Sequence, residues 1–271
     1  MRTAWFLVAV TFAAAAGPAV AADCTPAPAP ASWRAEGAAI PATVPDDPKA
    51  LNPLTLVLLR HAEKPMRADG VMIEDGNLGR QALDRLARLP DRLLAQFGCP
   101  DLLVAPNPAV KMHNKVTGDY FNYIRPLATI APLAETIEFP VWTPYGYNQN
   151  DLLARDLLAD KALAPRENGK ARVVFIAWER KNIRKLYEAL GRLGRLAPRE
   201  GATVSVDGAA YKCESPAVWE QCDFDSLWLV HVQDGGVCLT RQQENLNTAG
   251  FQKHCKGAES TTDTPDEPQN R

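Results

Sequence analysis

LTLVLLRHAEKP, residues 54–65, is the stretch from which the fold is read. Leu54 to Leu59 is a near-continuous apolar run of strand length, the pattern of a strand covered on both faces. It breaks into Arg60, His61, Ala62, Glu63, Lys64 and Pro65. In open α/β sheets the ligand crevice lies beyond the carboxyl ends of the strands, so this is where chemistry is expected. A guanidinium can hold two phosphoryl oxygens at once, and a neutral imidazole can attack phosphorus. An Arg-His pair where a buried strand emerges therefore reads as a phosphate site, rather than as charged residues that happen to cap a strand.

Working outward, strands and helices alternate. Leu83, Leu86, Leu89, Leu93, Leu94 and Phe97 recur at helical spacing within a helix expected over Leu78–Phe97, which Gly98 closes. Asp101–Ala105 reads as a second strand, Pro106–Tyr123 as a loop-like insertion, and Pro126–Glu135 and Asp151–Leu163 as helices. Arg172–Ala177 is a third strand, followed by a helix through Leu186, Leu190 and Leu193. Ser226–Val232 is a fourth strand, and Gly235-Gly236 turns it into a short fifth over Val237–Thr240. This order implies an α/β fold: a three-layer α/β/α sandwich with a mainly parallel central sheet.

The ends and the composition bound the setting. Residues 1–22 read as a signal peptide: a positive start at Arg2, an uncharged apolar run over Ala4–Ala16, and a small-residue cleavage pattern at Ala19-Val20-Ala21. Residues 23–53 form a Pro/Ala-rich leader, extended over the surface or mobile; 54–255 is the folded domain, and 256–271 a polar disordered tail. A periplasmic or secreted product is expected. All six cysteines follow the cleavage point, which suits disulfides in an oxidising compartment. Of the fifteen possible pairings, Cys213 with Cys222 is the first expectation, because the two flank one short loop. A net charge of −2 without a long basic stretch speaks against nucleic acid, and no segment after the leader is apolar enough to span a membrane. Oligomeric state is not legible.

The motif then becomes specific. LVLLRHAEKP resembles the Arg-His signature of the histidine phosphatase superfamily, with its phosphoglycerate-mutase-like fold, and is similar to exported bacterial members in which the signature continues into Glu-Lys-Pro. PDLLVAPNP (100–108) resembles their second strand and turn, FNYIRPLATIAPLAE (121–135) the segment carrying their second phosphate-binding arginine, and FDSLWLV (224–230) their late strand. The resemblance runs in order over roughly 54–246. It implies His61 as the nucleophile that becomes phosphorylated and Arg60 and Arg125 as the arginines that hold the phosphoryl group. Arg125 also stands on its own argument: it precedes Pro126 at a predicted helix start, where backbone N–H groups favour an anion. Neither a metal nor another cofactor is implied, because arginines supply the charge stabilisation.

One position departs from the pattern. The family carries a second catalytic histidine after Trp-Glu, and this chain has Arg180 there, following Trp178 and Glu179. Arginine keeps a cation and its N–H donors, but it does not exchange protons near neutral pH. Phosphate binding should survive this change better than turnover. Lys64, Glu63 and Glu179 are read as substrate-binding, and Glu63, Asp151 and Glu179 are the candidates for the acid that protonates the leaving group. Lys111 and Lys115 could recruit an anion. His113 lies in the insertion on the active side of the sheet, His231 within a strand, and His254 beside Cys255; none restores the family pattern. The expectation is an exported phosphomonoesterase that works through phosphohistidine at His61 on a small phosphorylated substrate, with activity reduced by Arg180. A non-catalytic relative that binds phosphate or a phospholigand is the alternative, and a mutase is a weaker third.

Overall fold

In the computed structural model, which describes residues 24–30, 33, 43–69, 71–114 and 117–246, the opening run forms β1, Leu54–Arg60. The expected signal peptide and tail, with Lys115, His254 and Cys255, lie outside the described residues. The other strands are β2 (Leu102–Val104), β3 (Lys111–His113), β4 (Tyr120–Asn122), β5 (Val141–Trp142), β6 (Arg172–Trp178), β7 (Ala197–Pro198), β8 (Thr203–Val206), β9 (Ala209–Lys212), β10 (Ser226–Gln233) and β11 (Gly236–Gln243). Four α-helices with described bounds accompany them: α1 (Leu83–Phe97), α2 (Arg125–Thr136), α3 (Asn150–Ala159) and α4 (Arg180–Leu193).

The main sheet has the order β5-β2-β6-β1-β10-β11-β7. β1 pairs in parallel with β6, β6 with β2, β2 with β5, and β7 with β11; β10 runs antiparallel to both β1 and β11. Its two faces are buried by different helices. Leu54, Leu56 and Leu58 pack with Leu153 and Leu157 of α3 and with Ile183, Leu186 and Leu190 of α4. Val57 and Leu59 pack with Leu89 and Leu93 of α1 and with Ile130 and Leu133 of α2. Alternate residues of one strand thus serve two cores, which is why the strand reads as unbroken apolar sequence. The fold is an α/β/α sandwich with a mostly parallel sheet.

Several boundaries differ from the sequence reading. The helix expected from Leu78 starts as α-helix at Leu83, after a 3-10 turn at Arg80–Ala82. The β10–β11 turn centres on Asp234 and Gly235, at φ 49° and 69°, so β11 begins at Gly236 and runs for eight residues rather than four. That is the left-handed pair a two-residue hairpin demands. The Pro106–Tyr123 insertion contains the β3–β4 hairpin, and β8 pairs with β9 in a second small hairpin.

The expected pairing of Cys213 with Cys222 is overturned. Cys213 bonds Cys238, with Cα atoms 5.0 Å apart, because the chain leaving β9 lies against β11: Glu214 N–H donates to Leu239 O at 2.7 Å. Cys222 takes part in a different disulfide. A further bond joins Cys24 to Cys99. It fastens the start of the leader, where Ala27 N–H donates to Asp101 O at 3.0 Å and Ala27, Ala29 and Trp33 are buried in the core. Among the described residues no helix is long and apolar enough to cross a membrane.

Candidate active site

The site forms where β1 and β6 end side by side, with His61 N–H donating to Trp178 O at 3.2 Å. Arg60 and His61 are buried there. His61 Nδ1 lies 2.7 Å from Ala62 O. A carbonyl only accepts, so Nδ1 carries the proton and Nε2 of the neutral ring keeps its lone pair. Burial, followed by the cations Arg125, Arg60 and Lys64, holds this imidazole well below its usual pKa. His61 is therefore an unprotonated ring surrounded by positive charge.

Arg60 lies over the Phe224 ring, 3.8 Å from its centroid. Its Nη1 donates to three carbonyls of one loop, those of Glu220 (3.3 Å), Gln221 (2.6 Å) and Asp223 (2.8 Å), while buried Nε has no partner among the described residues. Burial and the nearby Arg180 lower its pKa to about 9. Arg180 opens α4 and donates from Nη1 to Trp219 O at 3.1 Å, so both arginines grip the same loop. Phe224 also faces the His61 ring at 5.9 Å.

Arg125 opens α2 and is buried. Its Nη2 donates to Glu74 at 3.0 Å, whereas buried Nε and Nη1 have no partner among the described residues. Thr129, one turn along, accepts from Ala62 N–H and donates to Arg125 O, each at 2.8 Å, so α2 is clamped to the loop that carries His61. Lys64 ion-pairs with the other Glu74 oxygen. Burial outweighs that partner and lowers the Lys64 pKa to about 8. The Glu74 carboxyl itself is held below its usual range by Lys64 and Arg125, against its own partial burial.

The remaining sequence candidates divide. Glu179 caps α4, accepting at Oε2 from Asn182 N–H at 2.9 Å and Nδ2 at 3.0 Å; its charge reaches Arg60. Glu63 accepts from Arg85 Nη1 at 3.2 Å inside the protein, and its buried Oε2 has no partner among the described residues. Asp151 lies on the surface, paired with Arg192 at 2.7 Å. Lys111 and His113 are exposed on β3, with the His113 ring against Tyr120. His231 pairs with Thr55 at the opposite end of β1, its ring against Tyr211.

Sequence reading missed Tyr123, Glu74 and Thr129 as site residues. Tyr123 and Thr129 lie within the quoted FNYIRPLATIAPLAE segment, two residues before and four after Arg125. Glu74 carried no signal, because a lone acid in a Gly-containing loop looks like any other. Among the described residues no group of three or more His, Cys, Asp or Glu side chains is arranged to hold a metal ion. A separate cleft of about 580 Å³ opens at the far end of the sheet beside Cys24 and Asp101, but Arg166 and Arg172 already neutralise Asp101 there.

Neither a protein-family model nor a curated protein matches the chain. Among solved structures it is similar to a mycobacterial hydrolase, at 14% identity and a TM-score of 0.34, over 77% of this chain and 99% of that one. It is also similar to a mycobacterial glucosyl-3-phosphoglycerate phosphatase, at 13% identity and a TM-score of 0.30, over 70% of this chain and 97% of the other.

Proposed function

We propose that the protein is an exported phosphomonoesterase that acts on a small phosphorylated molecule through phosphohistidine at His61. One observation carries the reading. An imidazole with its Nδ1 proton fixed on Ala62 O, and kept unprotonated, sits beside buried arginine N–H groups that no described residue satisfies. Buried donors are costly to leave unpaired, at about 1–3 kcal/mol each. Arg60 Nε and Arg125 Nε and Nη1 are paired when a tetrahedral oxyanion occupies the site. His61 Nε2 then attacks phosphorus, and the arginines stabilise the charge on the equatorial oxygens. Disulfides Cys24–Cys99 and Cys213–Cys238, together with the N-terminal sequence, favour an oxidising compartment.

A second reading, binding without turnover, draws on Arg180. Its Nη1 and that of Arg60 are occupied by the 219–223 loop, so part of the cationic side-chain surface is committed to structure. The test is hydrolysis of an aryl phosphate from acid to neutral pH, without added metal, by the native chain, His61→Ala and Arg180→His. Native activity abolished by His61→Ala is the expected result. A silent native chain that gains activity with Arg180→His would establish the binding reading instead.

A further inference from the structure

The three carboxylates that sequence nominates as the proton donor all have partners: Glu63 accepts from Arg85 through Oε1, its buried Oε2 being unpaired among the described residues, Asp151 pairs with Arg192 at the surface, and Glu179 caps α4. Lys64 is held by Glu74. A different proton-bearing group remains at the site. Tyr123 is buried, its ring stands edge-on to His61 at 5.9 Å, and the Arg125 guanidinium lies 5.3 Å from its centroid. Its hydroxyl is enclosed and has no hydrogen-bond partner among the described residues. Buried tyrosine hydroxyls ordinarily find one.

We infer that Tyr123 is the general acid and base of the reaction, a role that rests on the phosphomonoesterase reading. In the first step His61 Nε2 bonds to phosphorus, the phosphorus–oxygen ester bond breaks, and the leaving oxygen takes the Tyr123 Oη proton, releasing the alcohol. In the second step water attacks phosphorus and the phosphorus–nitrogen bond breaks. The tyrosinate takes the water proton, so phosphate leaves and both side chains return to their starting state. The surroundings suit both halves. Burial and Glu179 hold the hydroxyl well above its usual pKa, so it is protonated when substrate arrives. The charges of Arg125 and Arg60 act on the same oxygen in the opposite sense and stabilise the transient tyrosinate.

The test compares the native chain with Tyr123→Phe on two substrates, 4-nitrophenyl phosphate and a simple alkyl phosphate. An alkoxide needs protonation as it leaves and a nitrophenolate does not. Tyr123→Phe should lose on the order of 10²–10⁴-fold on the alkyl phosphate, the usual worth of a general acid. On the aryl phosphate it should retain a stoichiometric nitrophenolate burst and then stall, leaving phosphohistidine at His61. Fluorotyrosine placed at 123 keeps the shape while strengthening the acid, so it should retain alkyl turnover where phenylalanine does not. Equal losses of the first-turnover rate on both substrates, or no loss on either, overturn the role of Tyr123 and leave the phosphatase reading standing. A native chain silent on both overturns the two together.

Discussion

Lys64 illustrates how a single residue tunes the site. Its ammonium is one of the cations that keep His61 neutral, and burial lowers its own pKa to about 8, in spite of Glu74. Below that pH it adds a positive charge beside His61; above it the charge is gone. Sulfate is a suitable probe because its charge is constant across this range. Sulfate affinity, measured by calorimetry, should fall as pH rises through about 8, by on the order of tenfold between pH 7 and 9, equivalent to about 1.4 kcal/mol. Lys64→Met should bind more weakly at pH 7 and lose most of this dependence, leaving the later decline as Arg60 approaches its value of about 9. A decline through pH 8 that persists in Lys64→Met would assign the titration to another group. His61 does not interfere, since it is already neutral throughout.

At the scale of elements, the site depends on how α2 meets the end of β1. Thr129 satisfies the buried backbone N–H of Ala62, in the loop that carries His61, and returns its own proton to the first turn of its helix. Thr129→Val keeps the shape but strands Ala62 N–H, so chemical denaturation should show a loss of about 1–3 kcal/mol. Thr129→Ser should recover most of it, and equal losses for the two would mean that packing, not the hydrogen bond, is what Thr129 supplies. Such links explain what the sequence could and could not convey. β1, β6 and β10 were legible because each is an apolar run covered on both faces, and Arg60, His61 and Arg125 because each stands at the start or end of an element. Glu74 was not, since its place is set by contacts distant in sequence: Asn114 Nδ2 donates to Glu74 O at 3.0 Å, and Gly76, at φ 82°, lies so close to Asn122 O that a Cβ would sit 2.1 Å from it. β5 and β7, two residues each, exist only as additions to strands already formed. Cysteine pairing failed for a similar reason: proximity along the chain placed Cys213 by Cys222, whereas strand order places it by Cys238.

Across the whole molecule, one buried cluster joins segments far apart in the sequence. Arg85 of α1 donates to Glu63 after β1 at 3.2 Å, to Asp225 before β10 at 3.4 Å and to Glu244 after β11 at 2.9 Å. Three carboxylates share one guanidinium, so the cluster carries excess negative charge away from water, an arrangement that favours retention of a proton. Burial raises the Glu244 pKa to about 8, and Asp225 and Glu63 push the same way; Arg85 pulls against them and is outweighed. The sign for stability follows. Unfolded chain releases this proton near 4.5 and folded chain near 8, so between those values the folded state binds more protons. Stability from this group is therefore full below the lower value and is lost as pH rises through the window, at up to about 1.4 kcal/mol per pH unit. His231 works in the opposite direction at more acid pH, because burial lowers its pKa to about 4 and the unfolded chain takes up the proton first. Comparing Glu244→Gln with the native chain cancels the His231 contribution. The amide oxygen can still accept from Arg85 and has nothing to titrate. Its melting temperature relative to native should rise steadily from pH 5 to pH 8, by on the order of 10 °C in total at the usual ~2–4 °C per kcal/mol. A difference that stays flat would show that Glu244 is ionised throughout and that Arg85 carries the excess charge unaided.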